Sequence, residues 1–219
     1  MRPFLVVHAT RSGHTRRIAE HIVDRIRALA HEAQLQDVRT EALPSLSRYS
    51  AVILAAGVHL GHHDREMVRF ARARRAELVQ VPTLFLSVSL TEATAEDTHR
   101  PDDERLEARR ATNKVLDDFV SETGWLPERA VPIAGALTGS TFGPLTRVLM
   151  RKLFHHDLSD EPGVDVVFTD WTALNAVVDS LVREAVEAPA VTRNRRWEAA
   201  ADCSRPASER GGRMEPSTR

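Results

Sequence analysis

Short apolar runs alternate with amphipathic stretches from residue 3 to about residue 186 of the chain. Residues 4–7, 51–57 and 83–88 are apolar runs of strand length, and the run at 51–57 is apolar on both faces. Strands buried on both faces are typical of parallel sheets that carry helices on each side. The alternation therefore predicts an α/β fold built on a doubly wound parallel sheet.

Two weaker runs complete the predicted sheet. Residues 37–41 are polar enough for an edge strand, and residues 131–137 are a fifth strand. Between the strands, four stretches place apolar residues at helical spacing. These helices are predicted from Thr15 to Ala30, from Asp64 to Arg75, from Asp102 to Glu122, and from Trp171 to Val182, the last with Thr169 or Asp170 as its cap.

Two segments break this pattern. Residues 138–163 are rich in Gly, Ser, Thr and Pro around one short helical segment, and strand-like residues follow at 164–168. Beyond Glu187 the chain has too few apolar residues to offset the entropy lost on ordering. We therefore expect one domain over residues 1–186 and a disordered tail over residues 187–219.

Composition narrows the class of protein. The 219 residues are 42% hydrophobic and 28% charged, which is typical of a soluble globular chain. The formal net charge of -1 gives no general attraction for nucleic acid, so we expect no such partner. The single cysteine, Cys203, cannot form an internal disulfide, and no apolar run is long enough to span a bilayer. We expect a cytoplasmic protein whose only membrane contact would be peripheral.

The loop after the first strand is the first candidate for chemistry. Hydroxyl groups at Thr10, Ser12 and Thr15 surround Gly13, and the next residues begin a helix whose free N–H groups can bind a phosphate. A capped turn between strand and helix has the same composition, so both interpretations stay open here. Neither a G-x-G-x-x-G pattern nor the lysine of a P-loop is present, which argues against a dinucleotide site or a nucleoside triphosphatase.

Residues 10–15, Thr-Arg-Ser-Gly-His-Thr, resemble the T-x-T-G-x-T loop that binds the FMN phosphate in flavodoxins. Further motifs resemble the menaquinone-dependent protoporphyrinogen IX dehydrogenase branch of that superfamily. They are Gly61-His62, Pro82 with Ser87-Val88-Ser89-Leu90, residues 133–137 (Ile-Ala-Gly-Ala-Leu) and residues 166–171 (Val-Val-Phe-Thr-Asp-Trp). The resemblance covers about residues 3–186.

This resemblance implies a flavodoxin-like, five-stranded parallel sheet of strand order 2-1-3-4-5, with an insertion that interrupts the fifth strand. It also implies one FMN and a role in haem biosynthesis, with protoporphyrinogen IX as substrate and menaquinone or another quinone as acceptor.

Ligands of open parallel sheets bind beyond the carboxyl ends of the strands, where three loops of this chain converge. A phosphate in the first loop leaves a flat ring between the second and third loops. The predicted cofactor-binding residues are Thr10, Arg11, Ser12, Gly13, His14 and Thr15 of the first loop, Gly57, Val58, His59 and Leu60 of the second, and Ser87, Val88, Ser89 and Leu90 of the third.

Aromatic side chains that often flank the ring in flavodoxins are missing from these loops. His59, Leu60, His62 or His63 would have to flank it. The missing aromatic residues are compatible with a face left open to a bulky substrate and equally with weaker FMN binding. His59 and His62 are candidates for moving protons near neutral pH, although a plain polar role is equally compatible with the pattern. We predict no metal site, because paired loop histidines are usually exposed to solvent.

The insertion contains a basic amphipathic segment at residues 144–156, with Arg147, Arg151 and Lys152 beside an apolar stripe. Such a segment can lie on an anionic membrane surface, or it can pack on the domain. Our leading hypothesis is an FMN enzyme that oxidises protoporphyrinogen IX with a menaquinone-type acceptor. A flavodoxin-like electron carrier, a general quinone reductase and a flavin-free interaction domain remain as alternatives.

Overall fold

The computed structural model describes residues 2–40, 44–137 and 166–187. Five parallel strands form the central sheet: β1 (Phe4–Ala9), β2 (Ala33–Asp37), β3 (Val52–His59), β5 (Thr83–Ser89) and β6 (Arg129–Ala134). Their spatial order is β2-β1-β3-β5-β6, which is the predicted order 2-1-3-4-5. A two-residue strand, β4 (His62–His63), pairs antiparallel with β3.

Helices cover both faces of this sheet. They are α1 (His14–Ala28), α2 (Arg65–Ala73), α3 (Arg75–Leu78), α4 (Leu90–Glu96), α5 (Asp102–Thr123) and α6 (Trp171–Glu187). Alternate residues of β1 enter two different cores: Phe4 and Val6 pack with α1 and α6, whereas Leu5 and Val7 pack with the α2 and α5 side. The doubly wound α/β fold is therefore confirmed, and the central strands are apolar on both faces because both faces are covered.

The edge strand lies four residues earlier than predicted, at Ala33–Asp37 instead of residues 37–41. Asp37 ends the strand because its carboxylate accepts the backbone N–H of Arg39 at 2.9 Å and its carbonyl accepts that of Thr40 at 3.0 Å. Such a side-chain turn competes with continued pairing. An edge strand buries little, so its apolar pattern gave a weak guide to its position.

The fifth strand is also shorter than predicted, because β6 ends at Ala134 and Gly135 redirects the chain. Residues Ala136–Leu137 form β7, which pairs antiparallel with β8 (Val166–Val167) in a separate ladder. Residues 131–137 are thus two strands rather than one. The insertion lies between β7 and β8, and the predicted helical segment at 144–156 and the predicted tail from residue 188 onward lie outside the described residues.

The stretch after β5 was expected to be a loop and is a helix instead. Ser89 caps α4, since its hydroxyl oxygen accepts the backbone N–H of Glu92 at 3.1 Å. Asp170 caps α6 in the same way and accepts the backbone N–H groups of Thr172 and Ala173, both at 2.9 Å. No loop residue lies between β5 and α4, because Ser89 ends the strand and Leu90 begins the helix.

Candidate functional site at the carboxyl ends of the strands

The three predicted loops follow three adjacent strands. The register pairs Ala9 of β1 with Ala56 of β3, and Ala56 with Ser87 of β5. Parallel pairing places the carboxyl ends of these strands at one edge of the sheet, so the segments that follow them lie side by side. The structure therefore brings the three predicted segments together, although residues 57–59 are the last residues of β3 and residues 87–89 are the last of β5 rather than loop residues.

The first loop offers backbone donors to an anion. Gly13 has φ +87°, and its N–H donates to the Thr10 hydroxyl oxygen at 3.0 Å. Helix α1 begins at His14, and no side chain of the described residues caps it. Because Gly13, the N-cap residue, has no side chain that could accept them, the first-turn N–H groups are placed to bind an anion. A Cβ at Gly13 would meet no atom within 4 Å, so the space in front of this turn is open.

The second loop is a tight hairpin between β3 and β4. Its two turn residues, Leu60 and Gly61, have φ +51° and +77°, the pattern of a type I′ turn. The Leu60 side chain is fully exposed, and His62 is exposed beside it. The tip of the hairpin thus presents an apolar side chain to solvent in a backbone conformation that leucine rarely adopts.

Gly57, near the end of β3, lies close to Thr15 and to the His59 ring. A Cβ there would lie 3.2 Å from the Thr15 hydroxyl oxygen and 3.4 Å from His59 Nε2. His59 Nε2 is buried and has no hydrogen-bond partner within the described part of the chain. An unpartnered imidazole nitrogen beside an uncapped helix is a polar arrangement that a phosphate-bearing ring cofactor fits.

Burial lowers the pKa of His59, and the positive charge of Arg11 lowers it further against the opposing effect of Asp64. His59 is therefore neutral near pH 7 and can accept a proton. His63, by contrast, is a core residue: its Nε2 lies 3.0 Å from the Ser87 hydroxyl oxygen. Burial lowers the pKa of His63 to about 4, with the charge of His62 as the smaller cause. His63 packs on the rings of Phe85 and Phe119, so it does not flank a ligand.

Two residues that the sequence interpretation missed join the first two loops. Arg39, just after β2, donates to the Thr10 carbonyl at 2.9 Å and to the Asp64 carboxylate at 2.7 Å. Asp64 is buried, caps α2 through Glu66, and donates its own N–H to the Gly57 carbonyl at 3.0 Å. Asp64 was recognisable as the start of a helix. Nothing in the local sequence indicated Arg39, because its contacts are tertiary.

A third connection reaches the segment after the insertion. The Thr169 hydroxyl donates to the Ala134 carbonyl at 2.7 Å and lies 2.9 Å from His14 Nε2. Because a hydroxyl has one hydrogen, Thr169 must accept from His14, which fixes a proton on His14 Nε2. Thr169 therefore holds the His14 ring in place at the start of α1, where the first loop joins the helix.

Ser87 and Ser89 of the third loop are also engaged, the first with His63 and the second with the N-terminus of α4. Over residues 2–40, 44–137 and 166–187, no group of three or more His, Cys, Asp or Glu side chains is placed to hold a metal ion. None of the helices in those ranges is both long and apolar enough to cross a membrane.

The comparisons with known proteins agree with this fold. Residues 5–161 match the flavodoxin domain family, so the chain belongs to that family. The family implies a flavin as the cofactor and an oxidation–reduction reaction. Oxidised flavodoxin 1 from Bacillus cereus superposes with a TM-score of 0.47 and 16% identity, covering 83% of this chain and 97% of that one.

Two curated relatives share a name, protoporphyrinogen IX dehydrogenase [quinone]. The protein from Escherichia coli strain K12 is 26% identical over 168 residues, which are 76% of this chain and 87% of the relative. The protein from Leishmania major is 26% identical over 176 residues, which are 78% of this chain and 70% of the relative. This chain is therefore similar to both relatives over most of their length.

Proposed function

We propose that this chain is an FMN-dependent oxidoreductase that converts protoporphyrinogen IX to protoporphyrin IX and passes the electrons to a menaquinone-type quinone. The arrangement of the first and second loops supports the proposal: the N-terminus of α1, with no side-chain cap among the described residues, lies near the unpartnered nitrogen of His59. The named relatives support the choice of substrate and acceptor.

The first loop would hold the FMN phosphate through the backbone N–H groups that begin α1. Gly13 allows the close approach, and Arg39 holds the loop by its bond to the Thr10 carbonyl. The isoalloxazine ring would then lie between His59 of the second loop and the residues that follow β5. FMN bound there supplies the two-electron chemistry of both half-reactions.

Each oxidation step removes two electrons and two protons from the porphyrinogen, and the quinone takes up two electrons and two protons to become a quinol. His59 is the described group best suited to take a proton, because its half-buried ring is neutral and its Nε2 is unpartnered. His62, the other candidate, is exposed at the same hairpin. No protein nucleophile is required.

A cytoplasmic location with peripheral membrane contact through residues 144–156 is part of the proposal, since a menaquinone is membrane-embedded. The rival function is a flavodoxin-like electron carrier or a general quinone reductase that has no porphyrinogen activity. Both rivals would use the same flavin site, so flavin content alone does not separate them from the proposal.

The test combines two measurements on the purified full chain. First, absorbance and phosphate analysis of the released cofactor identify FMN. Second, anaerobic protoporphyrinogen IX is added with menadione, and protoporphyrin fluorescence is followed. Porphyrin formation that depends on both FMN and quinone supports the proposal. Quinone reduction by an artificial donor without porphyrin formation would favour the rivals, and absence of bound flavin would overturn both.

A further inference from the structure

Two arginines approach one buried carboxylate at the edge of the site, and only one of them is bonded to it. Arg39 reaches Asp64 at 2.7 Å, whereas Arg11 Nε lies 3.7 Å from the same oxygen, beyond hydrogen-bond length. The Arg39 charge already balances that of Asp64. Arg11 makes no hydrogen bond within the described part of the chain, and its side chain is 60% exposed. Its guanidinium is thus a cation with free donors.

The exposed Leu60 lies on the same side of the site. Asp64, which Arg11 approaches, bonds to Gly57 at the base of the hairpin whose tip is Leu60. The charge of Arg11 also lowers the pKa of His59, the residue just before Leu60. Asn, Asp or Gly would satisfy this turn with less strain than leucine. The turn itself therefore gives no reason for an apolar side chain at this tip.

We propose that Arg11 binds a carboxylate of the substrate while Leu60 packs on the apolar face of its ring. This inference rests on the proposed function, because protoporphyrinogen IX joins an apolar macrocycle to propionate groups at one edge. A guanidinium with free donors recognises a carboxylate through paired hydrogen bonds. Arg11 and Leu60 together would select a large ring with an acidic edge over a small neutral quinone.

An anion for Arg11 has a second source, the phosphate of FMN. The two sources are separated by comparing FMN with riboflavin, which lacks the phosphate. If the guanidinium is a phosphate ligand, Arg11→Gln weakens binding of FMN and leaves that of riboflavin unchanged. Our inference requires the ratio of these two affinities to be the same in the parent and in Arg11→Gln.

The main experiment measures binding of protoporphyrin IX to the FMN-loaded full chain by fluorescence, without turnover. Arg11→Gln should raise the dissociation constant about fivefold, as expected for one partly exposed ion pair. The dimethyl ester of protoporphyrin IX, compared in the same neutral detergent, should bind the parent and the variant equally. Added salt should weaken the parent's binding of the free acid more than the variant's.

Arg27→Gln is the matched control. Arg27 is 58% exposed and lies near the opposite end of α1, so the control removes the same charge far from the loops. It should leave the affinity for protoporphyrin IX unchanged. Equal weakening by both variants would mean a general charge effect, and an unchanged dissociation constant in Arg11→Gln would overturn the inference. If the parent itself fails to oxidise protoporphyrinogen IX, the proposed function fails instead.

Leu60→Asn tests the apolar half of the inference. Because asparagine suits a type I′ turn, this variant should raise the melting temperature of the free protein and also weaken binding of both the free acid and its ester. Leu126→Asn is its control, since Leu126 is 73% exposed after α5. Unchanged porphyrin binding in Leu60→Asn would overturn the role of Leu60.

Discussion

His14 and Thr169 are 155 residues apart in the chain and share a 2.9 Å hydrogen bond between His14 Nε2 and the Thr169 hydroxyl. Both residues are buried, and the Thr169 hydroxyl donates a second hydrogen bond to the Ala134 carbonyl at the end of β6. The start of α1, the end of the fifth parallel strand and the segment after the insertion are therefore fixed to one another. We infer that the first loop depends on this connection for its position.

Replacing Thr169 with valine keeps the shape and removes both bonds. The buried His14 N–H and Ala134 carbonyl then lose a partner, and we expect the free energy of unfolding to fall by about 1–3 kcal/mol. FMN retention should also fall, because the first turn of α1 is less well held. Thr172→Val, at an exposed position of α6, is the control and should change neither quantity. Chemical denaturation and fluorimetric FMN titration measure the two effects.

The hydrogen bond between His14 and Thr169 also shows which features of the structure could not be predicted from the sequence alone. The threonine of the T-D-W motif and the histidine of the first loop were both singled out, yet their contact was not predicted, since it spans the fold. The central strands and the long helices were predictable because their apolar patterns report burial directly, whereas the strand order was implied only by the resemblance to flavodoxins. The role of Arg39 was not predictable, because nothing in the sequence around a polar residue after an edge strand shows which groups it will hydrogen-bond.

The boundaries that were wrong share a physical cause. Hydrogen bonds decide where the element begins or ends at β2, at the end of β6 and at α4. Asp37 and Ser89 accept these bonds, and the Gly135 N–H donates one. Hydrophobic periodicity carries no information about such hydrogen bonds. The predicted boundaries were therefore wrong by several residues, and helix α4 was not predicted at all. The predicted second and third loops begin too early, because residues 57–59 are the end of β3 and residues 87–89 are the end of β5.

Gly13→Val tests the first loop. At φ +87° a β-branched residue is strained, and we expect both a loss of stability of about 1–2 kcal/mol and a clear loss of FMN affinity. Gly124→Val is the control, because Gly124 has φ +65° at the end of α5, where the Cβ would meet only the Arg75 side chain. The control should lose stability and retain FMN affinity. Normal FMN affinity in Gly13→Val would remove the loop from the proposed site.

Charge reversal tests membrane contact through the insertion. Changing Arg147, Arg151 and Lys152 together to Glu should weaken binding to anionic vesicles, since each basic residue contributes about 1 kcal/mol near such a surface. Activity with a membrane-embedded quinone should fall more than activity with a water-soluble one. Sedimentation at low salt measures the first effect. Unchanged vesicle binding with a normal melting temperature would exclude the membrane role.

His63 makes stability depend on pH in a defined direction. Its pKa is about 4 in the folded chain, below the ordinary 6.5, because the ring is buried. Between pH 6.5 and 4 the unfolded chain therefore binds a proton that the folded chain does not. His63 therefore lowers the free energy of unfolding only below pH 6.5. The loss grows as the pH falls and is about 3 kcal/mol at pH 4.

His63→Gln removes the group that takes up this proton and keeps a side chain that can hydrogen-bond to Ser87. The slope of unfolding free energy against pH should then decrease by about 1.4 kcal/mol per pH unit between pH 6.5 and 4. Burial also lowers the pKa of His8 and of His59, so both residues make the unfolding free energy depend on pH in the same direction. Part of the pH dependence of the parent therefore persists in His63→Gln. Urea denaturation across this pH range gives the slope. An identical slope in the parent and in His63→Gln would show that the ring takes up its proton in the folded state, against the packing on Phe85 and Phe119.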